Sequence, residues 1–68
     1  MEEYLNSKGF VRWDTIESSI FMGDNDRFII DVSLYGRTAE VVRCHKTEPY
    51  LNFKDFAETV DELKELID

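Results

Sequence analysis

The sequence predicts a small α+β domain with the order α-β-β-β-α. In this prediction a three-stranded antiparallel meander carries a short N-terminal helix and a C-terminal amphipathic helix packed on one sheet face. Three observations support it: alternating apolar residues between positions 15 and 45, turn-forming residues between those segments, and an apolar stripe at helical spacing near the C-terminal end. A chain of 68 residues has room for a single domain, 1–68.

The N-terminal segment predicts a short helix over residues 2–8. Glu2 and Glu3 suit the positive end of a helix, and Gly9 is a suitable stop. An extended link or a short strand is then expected to contain Phe10, Val11 and Trp13.

Three strands are predicted over residues 15–22, 28–35 and 39–45. The middle one has the strongest signal, because alternate positions form a wholly apolar face. A two-residue turn at Gly36-Arg37 would pair Val32 with Val41. A three-residue loop at 24–26 would pair Ile20 with Ile30. Both registers give the same buried face, so they favour a meander.

The last element is predicted as one long helix over residues 53–67. Asn52 is a good N-cap with Asp55 three positions later, and Leu51 and Phe56 occupy the positions of a hydrophobic staple. One helical stripe would pack on the sheet; it comprises Phe53, Phe56, Ala57, Val60, Leu63 and Ile67.

The charge balance is strongly acidic, with 15 acidic and 8 basic residues and a net charge of −7. This argues against direct binding to nucleic acid or to an anionic membrane. The predicted element order matches that of double-stranded-RNA-binding domains, but the acidic last helix has the wrong charge for that function. The acidic helix face is either an ordinary solvated surface or a surface for a basic partner; it comprises Asp55, Glu58, Asp61, Glu62, Glu65 and Asp68.

The second sheet face is expected to be apolar, which is unusual for a face left in water. Its predicted members are Phe21, Ile29, Tyr35, Val42 and Cys44. The simpler expectation is that the N-terminal segment covers it through Tyr4, Leu5, Phe10 and Trp13. The alternative is a surface for a partner or for self-association.

Catalytic and metal sites are not predicted. Cys44 and His45 are adjacent, but neighbouring side chains in a strand point to opposite faces. Zinc needs three or four ligands, and the run 24–26 lacks the later ligands of a calcium loop. We therefore expect no enzyme, no cofactor and no bound metal. A small enzyme or metal-binding protein using Cys44 and His45 is the least favoured alternative.

These observations predict a non-catalytic protein-binding domain. Small size and acidity also suit an inhibitor or regulator of a host protein encoded by a phage or mobile element. The partner would be another protein with a basic surface, and a homodimer and an acidic nucleic-acid mimic stay open as alternatives. The predicted contact residues are Phe21, Ile29, Tyr35, Val42, Glu58, Asp61, Glu62 and Glu65.

The expected location is the cytoplasm, or the host cytoplasm for a viral protein. The N-terminal residues lack the basic start and apolar run of a signal peptide, and no apolar stretch is long enough for a membrane span. The single cysteine, Cys44, fits a reducing compartment.

Overall fold

The computed structural model describes residues 1–14 and 18–68. Within these ranges the chain forms one antiparallel sheet of five strands in the order β1-β2-β3-β4-β5, together with two short helices. The elements are α1 (Glu2–Ser7), β1 (Val11–Asp14), β2 (Ser19–Asp24), β3 (Phe28–Tyr35), β4 (Thr38–His45), β5 (Asn52–Ala57) and α2 (Val60–Ile67).

The α+β class is correct, but the prediction of a three-stranded meander is wrong because the described residues form five strands. The segment expected to be an extended link or short strand is β1, which pairs Val11 with Met22 and Trp13 with Ile20. The first part of the predicted strand 15–22 falls on residues 15–17, outside the described residues, and the rest contributes to β2. The N-terminal helix is confirmed as α1.

The second added strand, β5, replaces the first part of the predicted helix 53–67. It pairs with β4, so that Asp55 lies opposite Val41 and Phe53 lies opposite Arg43. Pairing satisfies the N–H and C=O groups that β4 would otherwise leave at a sheet edge. The apolar residues at 53, 56 and 57 fit the spacing of a helix as well as that of a strand. Pairing with β4 selects the strand.

Helix α2 therefore starts later than expected, and the predicted cap at Asn52 and staple between Leu51 and Phe56 are wrong. Thr59 is the N-cap, and its Oγ1 accepts a hydrogen bond from the Glu62 N–H at 3.1 Å. The Thr59 hydroxyl also donates a hydrogen bond to Glu62 Oε1 at 3.2 Å. Thr59 and Glu62 have the Thr-x-x-Glu spacing of a capping box, and this sequence pattern indicates the observed start of α2.

The hairpin of β3 and β4 has the predicted register. Val32 pairs with Val41, and Leu34 pairs with Ala39. Gly36 has a φ of +61° in the turn, a conformation that glycine adopts without steric cost.

The register of β2 on β3 differs from the prediction by three residues. Phe21 lies opposite Val32 and Gly23 lies opposite Ile30, so the turn falls at Asp26-Arg27 instead of at 24–26. Asn25 fixes this turn: its N–H donates to the Phe28 carbonyl, and its Oδ1 accepts from two later N–H groups at 2.8 and 2.9 Å. An odd shift reverses the strand, which buries Phe21 and turns Ile20 and Met22 outward.

Both helices lie on one face of the sheet, called here the inner face. Gly23 admits the Phe10 ring there, because a Cβ at Gly23 would lie 2.6–2.8 Å from atoms of that ring. The core between sheet and helices comprises Leu5, Phe10, Phe21, Ile30, Val32, Ala39, Val41, Ala57, Leu63 and Ile67.

Arg43 joins the sheet to the end of α2. Its guanidinium carbon lies 5.3 Å from the ring centroids of both Phe28 and Phe53. Nη2 donates to Asp55 Oδ2 at 2.9 Å, and Nη1 donates to the Leu66 carbonyl at 3.5 Å. The side chain thus links β3, β4, β5 and α2 through cation–π contacts and charged hydrogen bonds.

The first prediction concerns the contact between Phe10 and Gly23. We expect Gly23→Ala to lower the free energy of unfolding by about 1–3 kcal/mol, because the new methyl overlaps the ring. Urea unfolding followed by circular dichroism measures this. Phe10→Leu alone also destabilises, but the double variant should lose less than the sum of the two, since the smaller side chain makes room. Strict additivity would contradict the contact.

The second prediction separates the observed helix start from the longer helix. Thr59→Ala should cost about 1 kcal/mol of unfolding free energy, because it removes the N-cap oxygen. Asn52→Ala should change stability by less than about 0.5 kcal/mol, because this exposed residue lies in β5 and caps no helix. Denaturant midpoints of the two variants provide the comparison. A larger loss for Asn52→Ala would favour a helix starting there.

Candidate interaction surface

The face of the sheet opposite the helices, called here the outer face, is uncovered over the described residues. It alternates with the core positions along each strand. Its apolar members are Val11, Trp13, Ile20, Met22, Ile29, Tyr35, Val42, Cys44 and Phe56.

Six of these apolar side chains are large and exposed, whereas Ile20 and Val42 are half-buried. Trp13 is 62% exposed, Phe56 is 60% exposed and Ile29 is 55% exposed. They occur on both edge strands and on the central strand, so the apolar surface extends across the full width of the sheet. Exposed apolar side chains gathered on one face of a sheet are typical of an interaction site.

The predicted sheet residues are brought together, with one exception. Ile29, Tyr35 and Val42 share the outer face as expected. Phe21 is wholly buried on the inner face, so its placement on the second face is wrong, and the three-residue shift of β2 is the cause. The missed members include Val11, Trp13, Met22 and Phe56; their alternation in β1, β2 and β5 was the available signal.

The expectation that the N-terminal segment covers this face is also wrong. Leu5 and Phe10 are buried in the core on the inner face. Tyr4 packs beside α2, where its hydroxyl donates to Asp68 at 2.8 Å. Trp13 does lie on the second face, but as an exposed part of it.

The outer face also carries four charged residues, Asp24, Asp31, Glu40 and Lys54. Asp24 is paired with Lys46 at 2.7 Å. Glu40 and Lys54 form an ion pair at 3.3 Å. Asp31 is exposed in the middle of the central strand, and its neighbours across the sheet are Met22 and Val42. Its carboxylate makes no hydrogen bond or ion pair with the described residues.

A group of acidic residues lies on the opposite side of the molecule. Residues 58–68 contain five carboxylates and one lysine, in and around α2. Of the predicted contact residues, Glu58, Asp61, Glu62 and Glu65 are exposed there. The sixth residue of the expected acidic helix face, Asp55, instead lies in β5 and pairs with Arg43. The acidic surface and the apolar surface are thus separated by the sheet.

Cys44 and His45 point to opposite faces, as predicted. Cys44 lies opposite Ile29 on the outer face, whereas the His45 ring packs edge-on against Phe28, with centroids 5.3 Å apart. His45 Nδ1 accepts hydrogen bonds from the Thr47 and Glu48 N–H groups and so supports the loop after β4. The thiol and the imidazole form no joint site.

A groove of about 540 Å³ lies between the β2–β3 turn and the end of α2. Some of the charged residues that line this groove are already in ion pairs. Lys8 lies 3.3 Å from Asp68, and Arg43 lies 2.9 Å from Asp55. Its lining mixes carboxylates and cations, so the groove favours no ligand of one charge and is a weaker candidate than the outer face.

Comparison with known proteins adds no functional assignment: no family model, curated protein or solved structure matches the chain. Within residues 1–14 and 18–68, no group of three or more His, Cys, Asp or Glu side chains is placed to hold a metal ion. In the same ranges no helix is long and apolar enough to cross a membrane.

The third prediction concerns the contact between the two helices. Burial and the hydrogen bond to Asp68 raise the pKa of Tyr4 to about 12, and that bond holds the pKa of Asp68 below its usual value. Subtracting the absorbance titration of Tyr4→Phe from that of the wild type isolates the phenol of Tyr4. This difference should have its midpoint near pH 12.

The sign of the pH effect follows from the raised pKa. Because the folded state favours the neutral phenol, this stabilisation is fully present below about pH 10, the unfolded value, and is lost as pH rises toward about 12. The stability difference between the wild type and Tyr4→Phe should shrink over that range. A phenol midpoint near 10 would contradict the contact with Asp68.

Proposed function

We propose that this chain is a non-catalytic protein-binding domain and that the outer face is its contact surface. The observation that carries this proposal is the exposed apolar face across five strands, which neither helix covers. Burial of apolar side chains is the main source of affinity in protein association. Aromatic residues such as Trp13 and Tyr35 are enriched at interface centres.

The acidic side would act on the approach of the partner. The net charge of −7 creates a long-range attraction for a basic protein. The carboxylates around α2 lie behind the sheet, so a rigid partner on the outer face would not contact them. Their contribution would therefore be to the association rate and its salt dependence. This proposal includes a reducing, cytoplasmic location, which the exposed thiol of Cys44 supports.

The fourth prediction tests the contact surface by affinity capture from the cell that expresses the chain. Ile29→Thr/Phe56→Thr removes two exposed side chains and keeps residues that suit a strand. A specific partner should be captured by the wild type, should resist salt well above the physiological level, and should be lost with this variant.

The matched control neutralises the other side of the molecule through Glu58→Gln/Asp61→Asn/Glu65→Gln. It leaves Glu62 in place because that side chain contacts the helix cap. We expect this variant to keep the partner, with slower association at low salt. Capture that depends on these carboxylates and ignores the outer-face substitutions would instead support an acidic nucleic-acid mimic. Circular dichroism must show that both variants fold.

A further inference from the structure

The outer face has a carboxylate at its centre. Asp31 lies on β3, which has two strands on either side. Ile29 and Ser33 flank it along the strand, and Met22 and Val42 flank it on the neighbouring strands. Three of these four neighbours are apolar, and the carboxylate of Asp31 has no hydrogen-bond or ion-pair partner in residues 1–14 and 18–68.

This position restricts what can bind. A partner that covers the outer face removes water from Asp31, and an isolated buried carboxylate is strongly unfavourable. The nearby ammonium of Lys54 is already paired with Glu40, so it does not neutralise Asp31. The partner must therefore supply a cation or hydrogen-bond donors at this point, beside the apolar side chains of Ile29, Met22 and Val42.

We propose that the outer face binds a protein segment with an apolar surface and one basic side chain that pairs with Asp31. This inference rests on the proposed function and specifies the chemistry of its partner. An arginine suits the site well, because its planar guanidinium binds a carboxylate through two hydrogen bonds and is weakly hydrated. The apolar neighbours of Asp31 contact the stem of that side chain and exclude water from the pair.

A second copy of this chain satisfies the site poorly. A two-fold axis through the middle of the outer face would place β3 of one copy over β3 of the other. Two facing sheets pack about 10 Å apart, so the two Asp31 carboxylates would approach each other without a cation between them. This like-charge arrangement opposes the dimer and favours a basic partner.

The fifth prediction uses a phage-displayed library of random linear peptides, selected on the immobilised full chain. We expect selected peptides to share an arginine or lysine flanked by apolar residues. The best one is then synthesised, with a matched peptide in which neutral citrulline replaces arginine, or norleucine replaces lysine. The fluorescence of Trp13, the only tryptophan of the chain, measures binding. Asp31→Asn and the neutral peptide should each weaken affinity by about 10- to 100-fold.

The control is Asp26→Asn, which removes another exposed carboxylate, in the β2–β3 turn, and should leave affinity unchanged. This inference would be overturned if the selected peptides lacked a basic residue, or if they bound Asp31→Asn as tightly as the wild type. The proposed function would still stand in that case, provided that Ile29→Thr/Phe56→Thr weakened their binding. If no peptide were selected, or if the selected peptides bound that double variant as tightly as the wild type, both the inference and the proposed function would be overturned. A dimer in sedimentation experiments that Asp31→Asn tightens would assign the face to a second copy instead.

Discussion

The contact between Phe10 and Gly23 sets the arrangement of the remaining elements. Only a residue without a side chain can lie beneath the Phe10 ring at that distance, so this position of β2 must face the ring. That orientation puts Phe21 in the core and turns Ile20 and Met22 away from it. It also holds the N-terminal segment on the inner face, beside α2. The outer face is left open as a direct result.

The parts of the fold that the sequence predicts well are those fixed by local chemistry. Gly36 defines the β3–β4 turn, and the apolar alternation of β3 leaves one sensible register for the hairpin. The β2–β3 loop was ambiguous because residues 23–27 are nearly all turn formers, and the deciding bonds of Asn25 depend on its exact place. Phe21 and Met22 are both apolar, so composition alone did not show which one is buried.

The error at β5 has a different physical origin. Residues 52–57 carry apolar groups at spacings that suit a helix as well as a strand, and local propensity did not separate the two. The strand is selected by the free edge of β4 and by the position of Arg43, which lies between two phenylalanines and bonds to Asp55. These are long-range partners. The same limitation applied to the candidate surface: its central members could be predicted, but Trp13 and Phe56 joined it only through the two edge strands.

The one-sided distribution of charge has a consequence for the behaviour of the free chain. An open apolar sheet would normally favour stacking of copies and precipitation, since association hides surface from water. Here every copy also carries a net charge of −7, and five of its carboxylates lie in and around α2, on the other side of the sheet. Mutual repulsion slows random encounters between copies, and the carboxylate of Asp31 within the apolar face adds to it. Charge repulsion of this kind opposes aggregation of the free chain while its apolar face stays exposed to water.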